Sequence, residues 1–184
     1  MNPIVPPVAK FLTAGTILAD IAILAYVVGW LMGLVIKPIN NLRNWAIGMI
    51  APYARILGFL LALFSMAGSL FYSEVAKYPP CVLCWWQRIF MYPQVLLIAM
   101  GIIKNDKKIA DYTIAMSVIG FAVSLYQYYI QMGGGQLFQC DANGGVSCTQ
   151  HFPLEFGYVT LPMMGLTAFA GLIILMWISR KNTA

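Results

Sequence analysis

Residues 79–103 read Pro79-Pro80-Cys81-Val82-Leu83-Cys84-Trp85-Trp86-Gln87-Arg88-Ile89-Phe90-Met91-Tyr92-Pro93-Gln94-Val95-Leu96-Leu97-Ile98-Ala99-Met100-Gly101-Ile102-Ile103. The prolyl pair cannot continue a helix upstream, so a helix starts beside it, at Cys81. From 85 to 103 the run is apolar apart from Gln87, Arg88 and Gln94 and close to the roughly 20 residues that cross a hydrocarbon core. One stretch thus holds a membrane span and, at its mouth, a Cys-Val-Leu-Cys step.

Four further apolar runs lie near 12–36, 56–73, 110–131 and 161–179. Of the 184 residues, 61% are apolar and only 9% charged, where a soluble domain carries about one quarter charged residues. Backbone polar groups find no water in hydrocarbon, so every span is expected to be helical. The expected fold is an all-α membrane protein. Its plan is a four-helix transmembrane bundle over 55–184 with one additional N-terminal transmembrane helix and an interfacial linker over 1–54.

The linker, 37–54, carries Lys37, Pro38, Asn40, Asn41, Arg43, Asn44 and Pro52, too polar to span and suited to the membrane surface. Residues 1–10 have no basic leader, and no small-x-small site follows, so a cleaved signal peptide is not expected. Asp20 in the first run is costly in lipid unless it meets protein or water. The favoured reading there is a protonated or solvated carboxylate near the outer interface.

Basic residues orient the chain. If spans one, three and five end in the cytoplasm, Lys37, Arg43, Arg55, Lys104, Lys107, Lys108, Arg180 and Lys181 lie on that side, leaving Lys10, Lys77 and Arg88. That is the positive-inside pattern, and it accounts for the net charge of +5 without nucleic acid. The same orientation puts Cys81, Cys84, Cys140 and Cys148 outside the cytoplasm, where disulfides persist.

Cys81 and Cys84, three apart on a helix, fall within disulfide reach. A cysteine at a helix N-terminus near a cation, here Arg88, makes a good nucleophile or leaving group. Arg88 either snorkels to the headgroups or stabilises negative charge beside Cys84. Trp85, Trp86 and Tyr92 stand at the same level, as belt residues or as a ring-binding wall. Tyr126, Tyr128 and Tyr129 read as belt residues.

Cys140 and Cys148 close a nine-residue ring over Asn143-Gly144-Gly145. A purely structural bridge there would add only about 2–3 kcal/mol, which favours a reactive disulfide in a glycine-rich loop that begins at Gly133-Gly134-Gly135. A four-cysteine zinc site is not expected, because the second short Cys-x-x-Cys spacing is missing. The single histidine, His151, reads as a solvated loop residue, with thiol tuning or proton uptake as the alternative. The stretch 152–161 suits a segment lying on the membrane surface.

Cys81-Val82-Leu83-Cys84-Trp85-Trp86-Gln87-Arg88 at the outer start of a span, with a second pair in the next outer loop, resembles the bacterial disulfide bond formation protein B family of thiol:quinone oxidoreductases. The likeness covers about 55–180 and is closest to the compact, short-loop members. It implies a cytoplasmic (inner) membrane enzyme that reoxidises a thioredoxin-like extracytoplasmic disulfide oxidase and passes the electrons to ubiquinone or menaquinone. Cys140 would take the mixed disulfide with the oxidase and Cys148 would be its loop partner. Cys81 and Cys84 would be the quinone-proximal pair, with Cys84 forming the thiolate or adduct, Arg88 assisting the quinone, and Trp85 in the binding wall. This family is the standing case of a compartment kept oxidising by a quinone route rather than a thiol buffer. Gln87 stands where the enterobacterial enzyme has an acid. Vitamin K epoxide reductase, a related four-helix enzyme, is expected to carry its Cys-x-x-Cys late in the core, the reverse of the order here. A structural subunit with disulfide-braced outer loops is the reading from a different class.

Overall fold

A computed structural model describes residues 4–106, 108–135, 140, 147–149 and 158–183. All its elements are helical. They are α1 (Val5–Gly33), α2 (Lys37–Ile50), α3 (Ala54–Leu70), α4 (Val82–Ile103), α5 (Ile109–Gln131) and α6 (Leu161–Thr183). Five helical stretches are long and apolar enough to cross a membrane: α1, the continuous run Lys37–Val75, α4, α5 and α6. The chain is a multi-pass membrane protein with the expected number of spans.

Boundaries moved where local chemistry allowed. α1 begins at Val5, not near 12, because Pro6 and Pro7 occupy its first turn, where a missing N–H costs nothing. The polar 37–50 segment is itself helical and buries none of its residues. It leans on the end of α1, with Asn40 and Arg43 beside Gly33, and Arg43 ties to Asn40 Oδ1 at 2.6 Å. A short 3₁₀ turn, Ala51–Tyr53, joins it to α3, and a π-turn, Phe71–Val75, ends that run.

Contacts of α3 with α4, α4 with α5, α5 with α6 and α6 back to α3 close a four-helix ring, and α1 packs outside it against α6. The centre is Ala62, Met91, Val95, Ile98, Ala168, Phe169 and Leu172. Most polar groups in the centre of the bundle are matched, as a lipid-embedded core requires, although Thr13 Oγ1 on α1 is buried with no hydrogen-bond partner among the described residues. Gln94, fully buried, donates to Phe90 O at 2.7 Å and accepts from Ser117 Oγ at 3.0 Å, stitching α4 to α5 despite Pro93.

α5 and α6 approach closely because Gly120 has no side chain: a Cβ there would collide with the Phe169 ring. Gly120→Leu is expected to lower stability by about 1–3 kcal/mol through overpacking. Thermal unfolding in detergent checks this, and an unchanged midpoint would show that the two helices re-space freely.

At the end remote from the cysteines, Arg55 donates to Asn105 Oδ1 at 3.0 Å and Arg180 pairs with Asp111 at 3.1 Å. Both partners of that ion pair are more than half exposed, so it contributes little. Asn105 takes φ +47°, which lets the α4–α5 connection reverse tightly. Expectations placed on Lys107, on Asn143-Gly144-Gly145, on His151 and on most of 152–161 lie outside the described residues.

Candidate active site

Pro79 and Pro80 halt any helix before α4, and Cys81 becomes its N-cap in an extended conformation (φ −76°, ψ 173°). The sequence reading had made Cys81 the first helical residue. The cap position differs because the Cys81 sulfur accepts the Cys84 N–H at 3.4 Å, the bond that N-caps form with the third helical residue. The Cys81 and Cys84 sulfurs lie 2.8 Å apart as free thiols. The hydrogen bond shared with Cys84, and then burial, push the Cys81 thiol up. Cys81 therefore keeps its proton and is placed to donate it to Cys84 Sγ.

The buried side chain of Gln127 on α5 faces the pair. Its Nε2 lies 3.2 Å from Cys81 Sγ and 3.3 Å from Cys84 Sγ, while its Oε1 accepts from Gln87 Nε2 at 2.8 Å. The two amide hydrogens thus match two sulfurs, and the carbonyl is held by a second glutamine. Sequence reasoning missed Gln127. A signal was there: Ser117, Ser124, Gln127 and Gln131 recur on one face of an otherwise apolar span, and all four are buried.

Cys140 and Cys148 form a disulfide with Cα atoms 5.8 Å apart. They pack in one cluster with Cys81 and Ile130, with Leu83, Cys84 and Tyr126 beside it. All four cysteines thus meet at one end of the bundle. Between them lies a void of about 10 Å³ walled in part by Cys81, Cys84, Gln127, Gln131 and Cys148, room for about one water.

On the other side of Cys84 a larger chamber of about 390 Å³ opens among α1, α3, α4 and α6. Cys84, Gln87, Arg88, Met91 and Tyr92 line it, the 3- and 4-residue spacing of one helix face. Arg88 does not reach free to the headgroups. Its Nε donates to Ser69 Oγ at 3.1 Å and an Nη to Ser69 O at 3.2 Å, and Tyr92 donates to the same Oγ at 3.2 Å. Trp85, a quarter turn away, is 55% exposed and outside the lining, touching the chamber only through Arg88, whose guanidinium sits 5.2 Å from its ring. Trp86 stacks on Phe90. The aromatic lining instead includes Tyr72 and Tyr78, stacked at 6.1 Å, with Tyr92; Tyr126, Tyr128 and Tyr129 are outside it.

Asp20 meets a side chain of another helix. It lies fifteen residues into α1, and its Oδ1 meets the Thr167 hydroxyl of α6 at 2.6 Å. That protein contact meets part of the cost of a carboxyl within an apolar helix, while Oδ2 is buried with no hydrogen-bond partner among the described residues.

A family model, Disulfide bond formation protein DsbB, matches residues 51–179. The chain belongs to the DsbB family. Among DsbB-like relatives, "Probable disulfide formation protein C 1" of Bacillus anthracis is 39% identical over 130 residues, 71% of this chain and 94% of the relative. "Disulfide bond formation protein C" of Bacillus subtilis (strain 168) is 38% identical over 117 residues, 64% and 85% of the two chains. A "Probable disulfide formation protein C" of Halalkalibacterium halodurans reaches 46% over 110 residues, 60% and 80%. No solved structure matches. The DsbB match begins at Ala51, so α1 and α2 precede it.

Proposed function

We propose that this chain is a thiol:quinone oxidoreductase of the bacterial cytoplasmic membrane, with its cysteine end extracytoplasmic and residues 55–184 as the catalytic core. Membership of the DsbB family supports a disulfide-forming role. The observation that carries the finer reading is the position of Cys84, the one cysteine that borders both the void shared with Cys148 and the large chamber.

The route runs in three exchanges. A reduced thioredoxin-like oxidase attacks Cys140, takes the Cys140–Cys148 disulfide and leaves both loop sulfurs as thiols. Those thiols reduce the Cys81–Cys84 disulfide and recover their own bond. The Cys81–Cys84 dithiol then closes to a disulfide, giving up two electrons and two protons; a ubiquinone or menaquinone held beside Arg88 and Gln87 would supply the acceptor.

The chamber fits such an acceptor. Its volume is in the range of small-molecule sites, its walls are mainly apolar, and Arg88 and Gln87 gather beside Cys84 where carbonyl oxygens and developing negative charge need donors. Cys148 borders the void with Cys81 and Cys84, which supports the role in the partner's mixed disulfide that the family resemblance implies for Cys140.

The test is optical: quinone reduction by the purified protein in detergent after adding a reduced thioredoxin-like oxidase. Sustained turnover supports the relay, whereas no turnover across ubiquinones, menaquinones and several oxidases would leave the disulfides as braces. Arg88→Ala should raise the apparent quinone KM or lower turnover by about tenfold or more, the size of one hydrogen bond to a charged group. An unchanged quinone dependence would reduce Arg88 to a tie between α4 and Ser69.

A further inference from the structure

α1 precedes the family match, yet Phe11, Leu12, Gly15, Thr16 and Ala19 all line the large chamber. Their spacing is that of one helix face. Two contacts hold this face in place: Leu12 lies where a Cβ on Gly68 of α3 would meet it at 3.5 Å, and Asp20 meets Thr167, itself a lining residue of α6. The face is apolar in effect, since the Thr16 hydroxyl turns back to Leu12 O at 2.9 Å. At Gly15 an added Cβ would meet nothing within 4 Å, so the chamber beside this turn of α1 is open.

We infer that α1 is a wall of the quinone site that holds the apolar tail of the acceptor, with the Asp20–Thr167 contact keeping the helix in register. This rests on the quinone reading of the chamber. The donors for a ring, Arg88 and Gln87, both come from α4. An isoprenoid chain has no hydrogen bonds to make and gains only from apolar contact, which is what the α1 face offers. The first helix is thereby part of the binding site.

The test compares a prenylated quinone with its tail-less ring analogue in the full chain. Gly15→Leu should raise the KM of the prenylated quinone about tenfold relative to that of the analogue, about 1.4 kcal/mol of lost tail contact. Leu18→Phe, on the lipid-facing side at 68% exposure, should leave the ratio unchanged. Equal effects of Gly15→Leu on both quinones, or none, overturn the proposal. Because the leucine could disturb packing, the wild-type protein gives a second arm, a quinone with a photoreactive diazirine on its first isoprene unit. Label between residues 11 and 19, displaced by unlabelled quinone, supports the wall. Displaceable label confined to α3, α4 and α6 overturns it while sparing the quinone reading. No displaceable label together with no turnover removes both.

Discussion

Cys84→Ser should reduce quinone reduction to the uncatalysed background while leaving the bundle folded. A serine hydroxyl keeps a partner for Gln127 Nε2 and for the Cys81 cap, so the local hydrogen bonds survive. It cannot form or break a disulfide. Cys81 does not substitute, because it borders the small void and not the chamber. The loop disulfide is still present in this variant, so about one equivalent of partner dithiol should be oxidised and then no more. Counting oxidised partner against reduced quinone separates that single event from turnover. Continued turnover would sink the proposed route.

Gln127→Leu is the second large effect. Leucine fills similar volume but removes both donors that face the sulfurs and leaves Gln87 Nε2 without its carbonyl. Hydrogen bonds to charged groups contribute about 1.5–3 kcal/mol each. Loss of one such bond to a sulfur carrying negative charge is a factor of about 10–100 in turnover. The measurement is turnover at saturating quinone beside the alkylation rate of Cys84 as a function of pH. Slower turnover with an upward-displaced alkylation profile is expected. Turnover and profile like those of the parent protein would show that the amide merely packs. Gln87→Leu should follow in the same direction with a smaller change, since it acts on the sulfurs only by holding Gln127.

The helical membrane plan was legible because it rests on long apolar runs, a signal that tertiary contacts do not override. The Cys-x-x-Cys helix start was legible for the same local reason, since Pro79 and Pro80 dictate it. Gln127 was hidden because its partners lie 43 and 46 residues away, and an amide in a span names no partner by itself. The partner of Asp20 was hidden on similar grounds: Thr167 is 147 residues distant, and only the packing of α1 on α6 brings them together. Trp85 and Arg88 are three positions apart, and the sequence alone could not tell which of them faces the chamber.

Cys84 borders two spaces, and no other cysteine does. On the proposed route, a water-borne dithiol and a lipid-dissolved acceptor never share a volume. The protein then works as a bulkhead with a single conductor through it. Its resistance to short circuit, the partner's dithiol reducing the acceptor directly, comes from where the walls stand and needs no chemical discrimination between the two substrates.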